Sequence, residues 1–279
     1  MIKEKTTVSM QKMRERLNFY TEMKESLGIF EVIDYSIITG GFVQNTKKSG
    51  DVDIITVLPY KTTETEKQIL LFAEKHVTTQ ICNNFRPDFH FPTDVVSRQQ
   101  IVDATNGRAF EVSGGFLNLK NYSDEEIFSN KEADYRVWLY EMITHDFDLI
   151  GGSFDSLVKD TMRALRTIFL YTTILFEYSK EISIDQLRHD LFASAGLPYS
   201  LSEKQCRYLI MMLTETGFGL IENNNQSDVI ILNHQLISIE IENLKKGITS
   251  KSFSGATHII DWETIRTATK KLMPEDGGF

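Results

Sequence analysis

The feature that most constrains this sequence is a pair of acidic residues at the start of a strongly apolar segment. Asp51 and Asp53 are followed by Ile54–Leu58, which is apolar apart from one threonine, and Pro59 ends the run. β-Branched residues are abundant here, so a buried strand is predicted over 51–58. Because side chains alternate along a strand, both carboxylates are expected on the same face of the sheet.

This pair of carboxylates creates an electrostatic problem. Two acids side by side on a buried strand are costly, and each disfavours ionisation of the other. No basic residue neighbours Asp51 or Asp53 on that strand. A divalent cation resolves the problem, because Mg²⁺ prefers carboxylate oxygens and the phosphate oxygens of nucleotides. The segment therefore predicts a magnesium site that also holds a nucleotide.

A glycine pair precedes the acidic pair. Another buried strand is predicted over Tyr35–Thr39, and it runs directly into Gly40-Gly41 and a polar loop. Glycine lets the backbone approach a phosphate without obstruction by Cβ, and it frees N–H groups to point at that phosphate. Lys47 and Lys48 lie in the same loop, either as phosphate contacts or as ordinary surface lysines.

These residues together resemble the signature of the DNA polymerase β-like nucleotidyltransferases: a strand, Gly-Gly or Gly-Ser, about ten residues, then Asp-x-Asp between apolar residues. Thr39-Gly40-Gly41 and Asp51-Val52-Asp53 carry the resemblance, which covers roughly residues 30–97. It implies an α+β fold with a small mixed sheet and helices on one side. It also implies that both aspartates bind metal and that a later strand supplies a third carboxylate.

The third carboxylate has two candidates. Asp88 begins an Asp-Phe-His sequence that resembles the third-acid strand of some antibiotic-modifying members, and Asp94 precedes two valines, a more strand-like context. A strand is predicted over 89–97, although Pro92 interrupts it. Asp94 is preferred and Asp88 stays open.

The resemblance predicts a two-metal reaction. Two Mg²⁺ ions, held by Asp51, Asp53 and the third acid, would orient an NTP and activate an acceptor hydroxyl. In-line attack on the α-phosphorus would then expel pyrophosphate, with the third acid as a candidate general base.

A long helix predicted over 155–180 carries Lys159, Arg163 and Arg166 on one face. As in other members of the superfamily, this stripe is expected either to contact the phosphates or to form a solvated helix face. Further helices are predicted near 10–27, 63–79 and 131–146, and a short one is predicted from Ser97 to Gly107.

The second half of the chain has a different organisation. Helices are predicted over 183–194 and 202–215, and a hairpin over 218–232 turns at Asn223-Asn224-Asn225. This order suggests a winged-helix-like module, so a catalytic domain is predicted over 1–150 and a mainly helical domain over 151–279. From 183 to 234 there are three basic and six acidic residues, so a lid, an acceptor-binding wall or a dimer surface is favoured over DNA reading.

Composition limits the partners. The chain has 279 residues and a net charge of −9, which argues against binding of long nucleic acid and suits a cationic acceptor. No apolar run approaches the roughly 18 residues of a membrane span, and no signal core opens the chain, so a cytoplasmic protein is expected. The two cysteines, Cys82 and Cys206, are expected to be buried free thiols.

Three functions remain open. The leading prediction is transfer of an NMP from an NTP, with ATP foremost, to a hydroxyl of a small molecule such as an antibiotic. The second is a toxin or defence nucleotidyltransferase acting on tRNA, a protein or a nucleotide. The third is a nucleotide-binding regulator without turnover.

Overall fold

A computed structural model describes ten segments of the chain and a few isolated positions. The segments are 33–39, 51–59, 86–88, 95–103, 105–106, 110–113, 116–119, 147–194, 201–224 and 227–249, and the isolated positions are 18, 21–22, 25, 43 and 70. These residues belong to two compact units. Residues up to Ser97 and residues 147–153 belong to the first unit, and the remaining described residues belong to the second.

The secondary structure of the described residues is mixed. The strands are β1 (Tyr35–Thr39), β2 (Asp51–Leu58), β3 (Arg86–Asp88), β4 (Val95–Ser97), β5 (Phe110–Ser113), β6 (Phe116–Leu119), β7 (Phe147–Gly152), β8 (Glu181–Ser183), β9 (Gly219–Asn224) and β10 (Ser227–Leu232). The helices are α1 (Arg98–Asp103), α2 (Phe154–Phe176), α3 (Ile184–Ser194), α4 (Glu203–Thr216) and α5 (His234–Thr249).

The first unit contains a mixed sheet with the order β3-β2-β1-β7. β1 is antiparallel to both β2 and β7, whereas β3 and β4 both run parallel to β2 along its other edge. Along that edge the register moves from Asp53↔Asp88 to Thr56↔Val95. The neighbouring chain therefore advances by more residues than β2 does, so β3 and β4 are two separate strands.

Both faces of β1 and β2 are buried. Ile37 and Ile55 lie on one face and Ile38 and Ile54 on the other, and each is at most 3% exposed. Polar groups inside this sheet are paired with each other, since the hydroxyls of Ser36 and Thr56 lie 2.7 Å apart. Such pairing removes the cost of burying an unsatisfied hydroxyl.

A glycine closes the end of β7. Gly152 has φ 83°, and a Cβ atom at this position would lie 2.3 Å from the Asp34 carbonyl oxygen. That carbonyl accepts a hydrogen bond from the Ser153 N–H at 2.7 Å, which joins the two chain segments. Only glycine combines this backbone angle with so close an approach.

In the second unit, α2 packs against α3, α4 and α5. The strands β8, β10 and β9 form an antiparallel sheet in that order, and β5 pairs with β6. α4 begins at a capping box formed by Ser202 and Gln205 and ends at Gly217, whose φ is 71°. Phe169 of α2 stacks on Phe218 with ring centroids 5.7 Å apart, which links the long helix to the start of the hairpin.

Several predictions from the sequence are confirmed. The fold is a mixed α+β fold with a small mixed sheet. The strands over 35–39 and 51–58, the long helix, the helices near 183–194 and 202–215, and the following hairpin are all present. The long helix ends at Phe176 instead of near 180. Cys206 is a buried free thiol as expected, whereas Cys82 lies outside the described residues.

Other predictions are confirmed only in part or are untested. The strand predicted over 89–97 is confirmed at 95–97, and its residues 89–94 lie outside the described residues; a further strand at 86–88 was not predicted. Residues 147–152 form a strand that the sequence analysis did not predict. β8 and α5 were also not foreseen. The helices predicted near 10–27, 63–79 and 131–146 fall largely outside the described residues, and the domain boundary near 150 stays a prediction.

Among the described residues, none of the helices has the length and apolar character needed to cross a membrane.

Candidate active site

One row of residues crosses the sheet of the first unit at the place where the acidic pair was predicted. Asp88, Asp53, Thr39 and Phe147 are successive register partners on β3, β2, β1 and β7. Partners in neighbouring strands lie side by side, with strands about 4.8 Å apart. The backbone therefore brings Asp53 between Asp88 and Thr39, the residue that leads into Gly40-Gly41.

Asp53 lies at the edge of the buried part of its strand. The residues that follow it, from Ile54 to Leu58, are at most 3% exposed, whereas Asp53 is partly exposed. Its register partner Thr39 is 1% exposed and Phe147 is fully buried. Asp53 thus marks the boundary between the buried part of β2 and a partly exposed position.

This row of register partners helps to choose between Asp88 and Asp94 as the third carboxylate. Asp88 is the register partner of Asp53 and the last residue of β3. Asp94, which was preferred from the sequence, lies outside the described residues, and the strand after it starts beside Thr56, further along β2. The register thus brings the backbone of Asp88 next to that of Asp53.

Arg86 is a neighbour that the sequence reasoning missed. It is the register partner of Asp51 on β3. The pairing puts the backbone of Arg86 next to that of Asp51 in the sheet. Sequence reasoning considered only the strand that carries the acids, because the parallel pairing of β2 with β3 leaves no local signal.

The structure describes only some of the residues that were predicted to contact phosphate. Gly40, Gly41, Lys47 and Lys48 lie outside the described residues. Lys159, at the start of the predicted basic stripe on α2, is exposed and makes no ion pair with a described residue.

The two arginines of the stripe have acidic partners. Arg163 Nη1 lies 3.5 Å from Asp160 Oδ1, and about half of the arginine side chain is exposed. Arg166 forms an ion pair with Glu240 of α5, and its guanidinium lies 5.8 Å from the centre of the Phe218 ring. Arg166 thus links α2 to α5. Its contact with phosphate stays a prediction, and in this structure Glu240 is paired with the same guanidinium.

Asp160 and Arg98 are further charged residues that the sequence reasoning did not single out. Asp160 is fully buried and forms an ion pair with Arg98, the first residue of α1. Burial lowers the pKa of Arg98, and the neighbouring Asp160 carboxylate opposes that shift. The burial of Asp160 could have been predicted from its spacing along α2, because it shares the buried face of that helix with Leu157, Thr161 and Ala164.

Within the described part of the chain, no group of three or more histidine, cysteine, aspartate or glutamate side chains is placed to hold a metal ion. The side chains of Asp51 and Asp88, and the whole of Asp94, are outside that description. The donor set nevertheless has the right chemistry, because carboxylate oxygens are what Mg²⁺ prefers.

Comparison with known proteins assigns no family. No protein-family model matches the sequence, and no curated protein matches it. The resemblance to the DNA polymerase β-like nucleotidyltransferases therefore stays an expectation from the sequence, carried by Thr39-Gly40-Gly41 and Asp51-Val52-Asp53.

Proposed function

We propose that this chain is a nucleotidyltransferase that moves an NMP from an NTP, with ATP as the first candidate, to a hydroxyl group of a small-molecule acceptor. The observation that carries the proposal is the row in which Asp53 lies between Asp88 and Thr39. That row joins an acidic pair, a further acid from a later strand and the residue before a glycine pair. The superfamily resemblance implies the same combination on a small mixed sheet.

We assign Asp51, Asp53 and Asp88 as the metal-binding carboxylates, with Asp94 as the alternative third acid. Partial exposure of Asp53 supports this assignment, because a ligand can reach a carboxylate that is not sealed in the core. When bound, Mg²⁺ would neutralise the triphosphate and lower the pKa of the acceptor hydroxyl. Gly40 and Gly41 would offer backbone N–H groups to the phosphates.

The transfer itself is a displacement at phosphorus. The acceptor oxygen forms a bond to the α-phosphorus while the bond to the β-phosphate oxygen breaks, and pyrophosphate leaves. The hydroxyl proton passes to a carboxylate, for which Asp88 and Asp94 are the candidates. The chain therefore contributes mainly position and charge, through acids fixed on neighbouring strands.

The acceptor is proposed to be small and cationic. The net charge of −9 favours a positively charged acceptor over long nucleic acid. Antibiotics with amino groups and hydroxyls have this chemistry. We assign the described helices and hairpin of the second unit, from β8 to β10, to a winged-helix-like module that serves as an acceptor wall, a lid or a dimer surface.

Pyrophosphate release tests the proposal. The full chain is incubated with Mg²⁺, each NTP in turn, and a panel of hydroxylated amines that includes antibiotics, with tRNA as a separate arm. Release is expected with at least one small acceptor and is expected to disappear in Asp53→Asn. Glu242→Gln, which changes an exposed acid of α5 outside that module, is the matched control and should keep wild-type turnover. Release with tRNA alone would instead favour the toxin or defence reading.

A regulator without turnover is the second candidate. One observation favours it: β8, α3, α4, β9 and β10 follow one another in winged-helix order, with β10 between β8 and β9. Such modules commonly serve regulatory proteins, although the acidic balance of this one argues against DNA reading. Binding of ATP without pyrophosphate release across the whole panel would select the regulator.

A further inference from the structure

The sheet formed by β8, β10 and β9 has one buried face. Ile182, Ile230 and Leu232 on this face are each at most 4% exposed. A Cβ atom at Gly219 would lie 2.7 Å from a methyl group of Ile230 and 3.8 Å from a methyl group of Leu213, so the face lies against α4. Because side chains alternate along a strand, the residues between these positions lie on the opposite face of the sheet.

The opposite face has an exposed apolar centre. Leu220 of β9 is 67% exposed, more than any other large apolar side chain that the structure describes. Its register partner on β10 is Ile231, and Val229 lies two residues before Ile231 on the same face; both are partly exposed. These three side chains form what we call the Leu220 patch. A contiguous exposed apolar patch with a polar rim is typical of a contact surface.

Acidic side chains flank the Leu220 patch on two sides. Glu222 of β9 is the register partner of Val229, and Glu181 of β8 is the register partner of Ile231; both glutamates are exposed. Among the described strand residues of this face, none is basic. A partner that covers the patch therefore needs apolar groups at its centre and positive charge beside them.

The strand that carries Leu220 is at the edge of its sheet. The order is β8-β10-β9, and within the described part of the chain β9 pairs with β10 alone. An edge strand presents a row of backbone N–H and C=O groups that can pair with another extended chain. β9 has six residues, which is enough to align a short peptide by strand addition.

We propose that β9 and the Leu220 patch bind a short, extended, cationic segment of a partner protein, which adds to the sheet beside β9. An apolar side chain of that segment lies beside Leu220, and a lysine or arginine two positions away lies beside Glu222. A stable dimer uses about 20–30 residues from each partner, whereas this patch has three apolar side chains, so a peptide segment suits it better than a second copy. A second copy would also bring the same acids and no positive charge. The site lies within the second unit and does not depend on the transfer reaction.

Peptide binding to the full chain tests the surface. The probe is a fluorescent peptide as long as β9, with valine and lysine alternating on one face and threonine on the other. A second peptide has glutamate in place of lysine. In fluorescence anisotropy at low ionic strength, the lysine peptide is expected to bind with a Kd below about 1 mM, and the glutamate peptide at least about tenfold more weakly.

Two variants of β9 test which residues make the contact. Leu220→Ser is expected to weaken binding of the lysine peptide about fivefold or more, because it removes apolar surface from the contact. Glu222→Lys is expected to reverse the preference, so that the glutamate peptide binds more tightly. The matched controls are Ile239→Ser and Glu242→Lys, which make the same changes at exposed residues of α5 and should bind as the wild type does.

Backbone methylation tests whether the peptide adds as a strand. Two further lysine peptides carry N-methyl groups on alternate residues, one set in each peptide. The N–H groups of an extended chain alternate between its two edges, so one set should abolish binding and the other should retain it. Equal affinities of the two methylated peptides would overturn strand addition.

Four results would overturn the proposal as a whole: no binding by the wild-type chain, unchanged affinity in Leu220→Ser, unchanged preference in Glu222→Lys, or an equal loss in Ile239→Ser. Self-association of the wild-type chain in sedimentation, abolished by Leu220→Ser, would instead assign the surface to a second copy and would also overturn it. Asp53→Asn should bind the lysine peptide as the wild type does, so failure of this surface is distinguishable from failure of the proposed transfer reaction.

Discussion

Tyr178 shows how burial and one hydrogen bond fix the state of a side chain. Its hydroxyl donates to Asp190 Oδ2 at 2.8 Å, and Asp190 is itself buried. Burial raises the pKa of Tyr178 far above its usual range, and the neighbouring Asp190 carboxylate adds to the shift. The neutral phenol is therefore the form that stabilises the fold.

Tyr178→Phe should lower the free energy of unfolding by about 1 kcal/mol at pH 7, because Asp190 loses a donor. The raised pKa fixes the pH dependence: the stabilising contribution is complete below pH 10, the ordinary value, and is lost as pH rises beyond it. Denaturant unfolding at pH 7 and pH 10.5 measures both. A difference between wild type and Tyr178→Phe that stays constant over this range would contradict the account.

At the scale of elements, two glycines end secondary structure for different reasons. Gly152 combines a positive φ with contact to the backbone of Asp34 and Tyr35. Gly217 also has a positive φ, but the nearest atom to an added Cβ would be a Leu236 methyl at 3.5 Å, an ordinary contact. The first position is constrained by space and by conformation, the second by conformation alone.

Alanine substitutions should separate these two constraints. Gly217→Ala should cost about 1 kcal/mol of unfolding free energy, the ordinary penalty of a left-handed residue, and Gly217→Asn should cost less. Gly152→Ala should cost several times as much, because β7 and β1 would have to move apart. Thermal unfolding of the three variants checks the order, and equal losses at both sites would refute it.

The link between α2 and α5 also belongs to this scale. Arg166 and Glu240 are each about three-quarters buried, and the guanidinium lies over Phe218. On α5 itself, Lys245 and Glu242 form a more exposed pair three residues apart. Burial reduces screening by solvent, so the two pairs should differ in strength.

Double-mutant cycles with glutamine at Arg166, Glu240, Lys245 and Glu242 measure that difference. The coupling energy between Arg166 and Glu240 should be about 1 kcal/mol, and that between Lys245 and Glu242 should be roughly 0.3 kcal/mol. Urea unfolding of the single and double variants supplies the values. A coupling at Arg166 no larger than the exposed pair would show that the helices are joined by packing alone.

Across the whole molecule, the sequence predicted elements whose signals are local. The strands over 35–39 and 51–58 are rich in apolar, β-branched residues and end at a glycine pair or a proline, and the structure has them at those bounds. β7 was missed because it ends in two glycines and becomes a strand only by pairing with β1, far away in the chain. Local pattern carries no information on such a partner.

For the candidate site too, the sequence predicted only the features that have a local signal. The acidic pair could be placed on a strand because its neighbours are apolar and β-branched. The positions of Asp88 beside Asp53 and Arg86 beside Asp51 depend on parallel pairing, which the sequence does not encode locally. The contact between Arg98 and Asp160 likewise spans 62 positions, so only folding reveals it.

The proposed transfer reaction depends on Asp51 and Asp53 of β2 and on the third acid. If they hold Mg²⁺ and an NTP, removing one charge should reduce metal-dependent affinity while the strands remain intact. Asp53→Asn keeps the size of the side chain and removes the charge. Asp88→Asn and Asp94→Asn then distinguish the third acid, and Arg86→Gln shows whether a guanidinium carries part of the balance at Asp51.

The most direct test is the affinity for an NTP, measured calorimetrically with and without Mg²⁺. The wild-type chain should bind at least one NTP more tightly with Mg²⁺ than without it. Asp53→Asn should lose that gain, about tenfold or more, while its circular dichroism spectrum stays that of the wild type. An unchanged Mg²⁺-dependent affinity in a correctly folded Asp53→Asn chain would contradict the proposed role of the acidic pair.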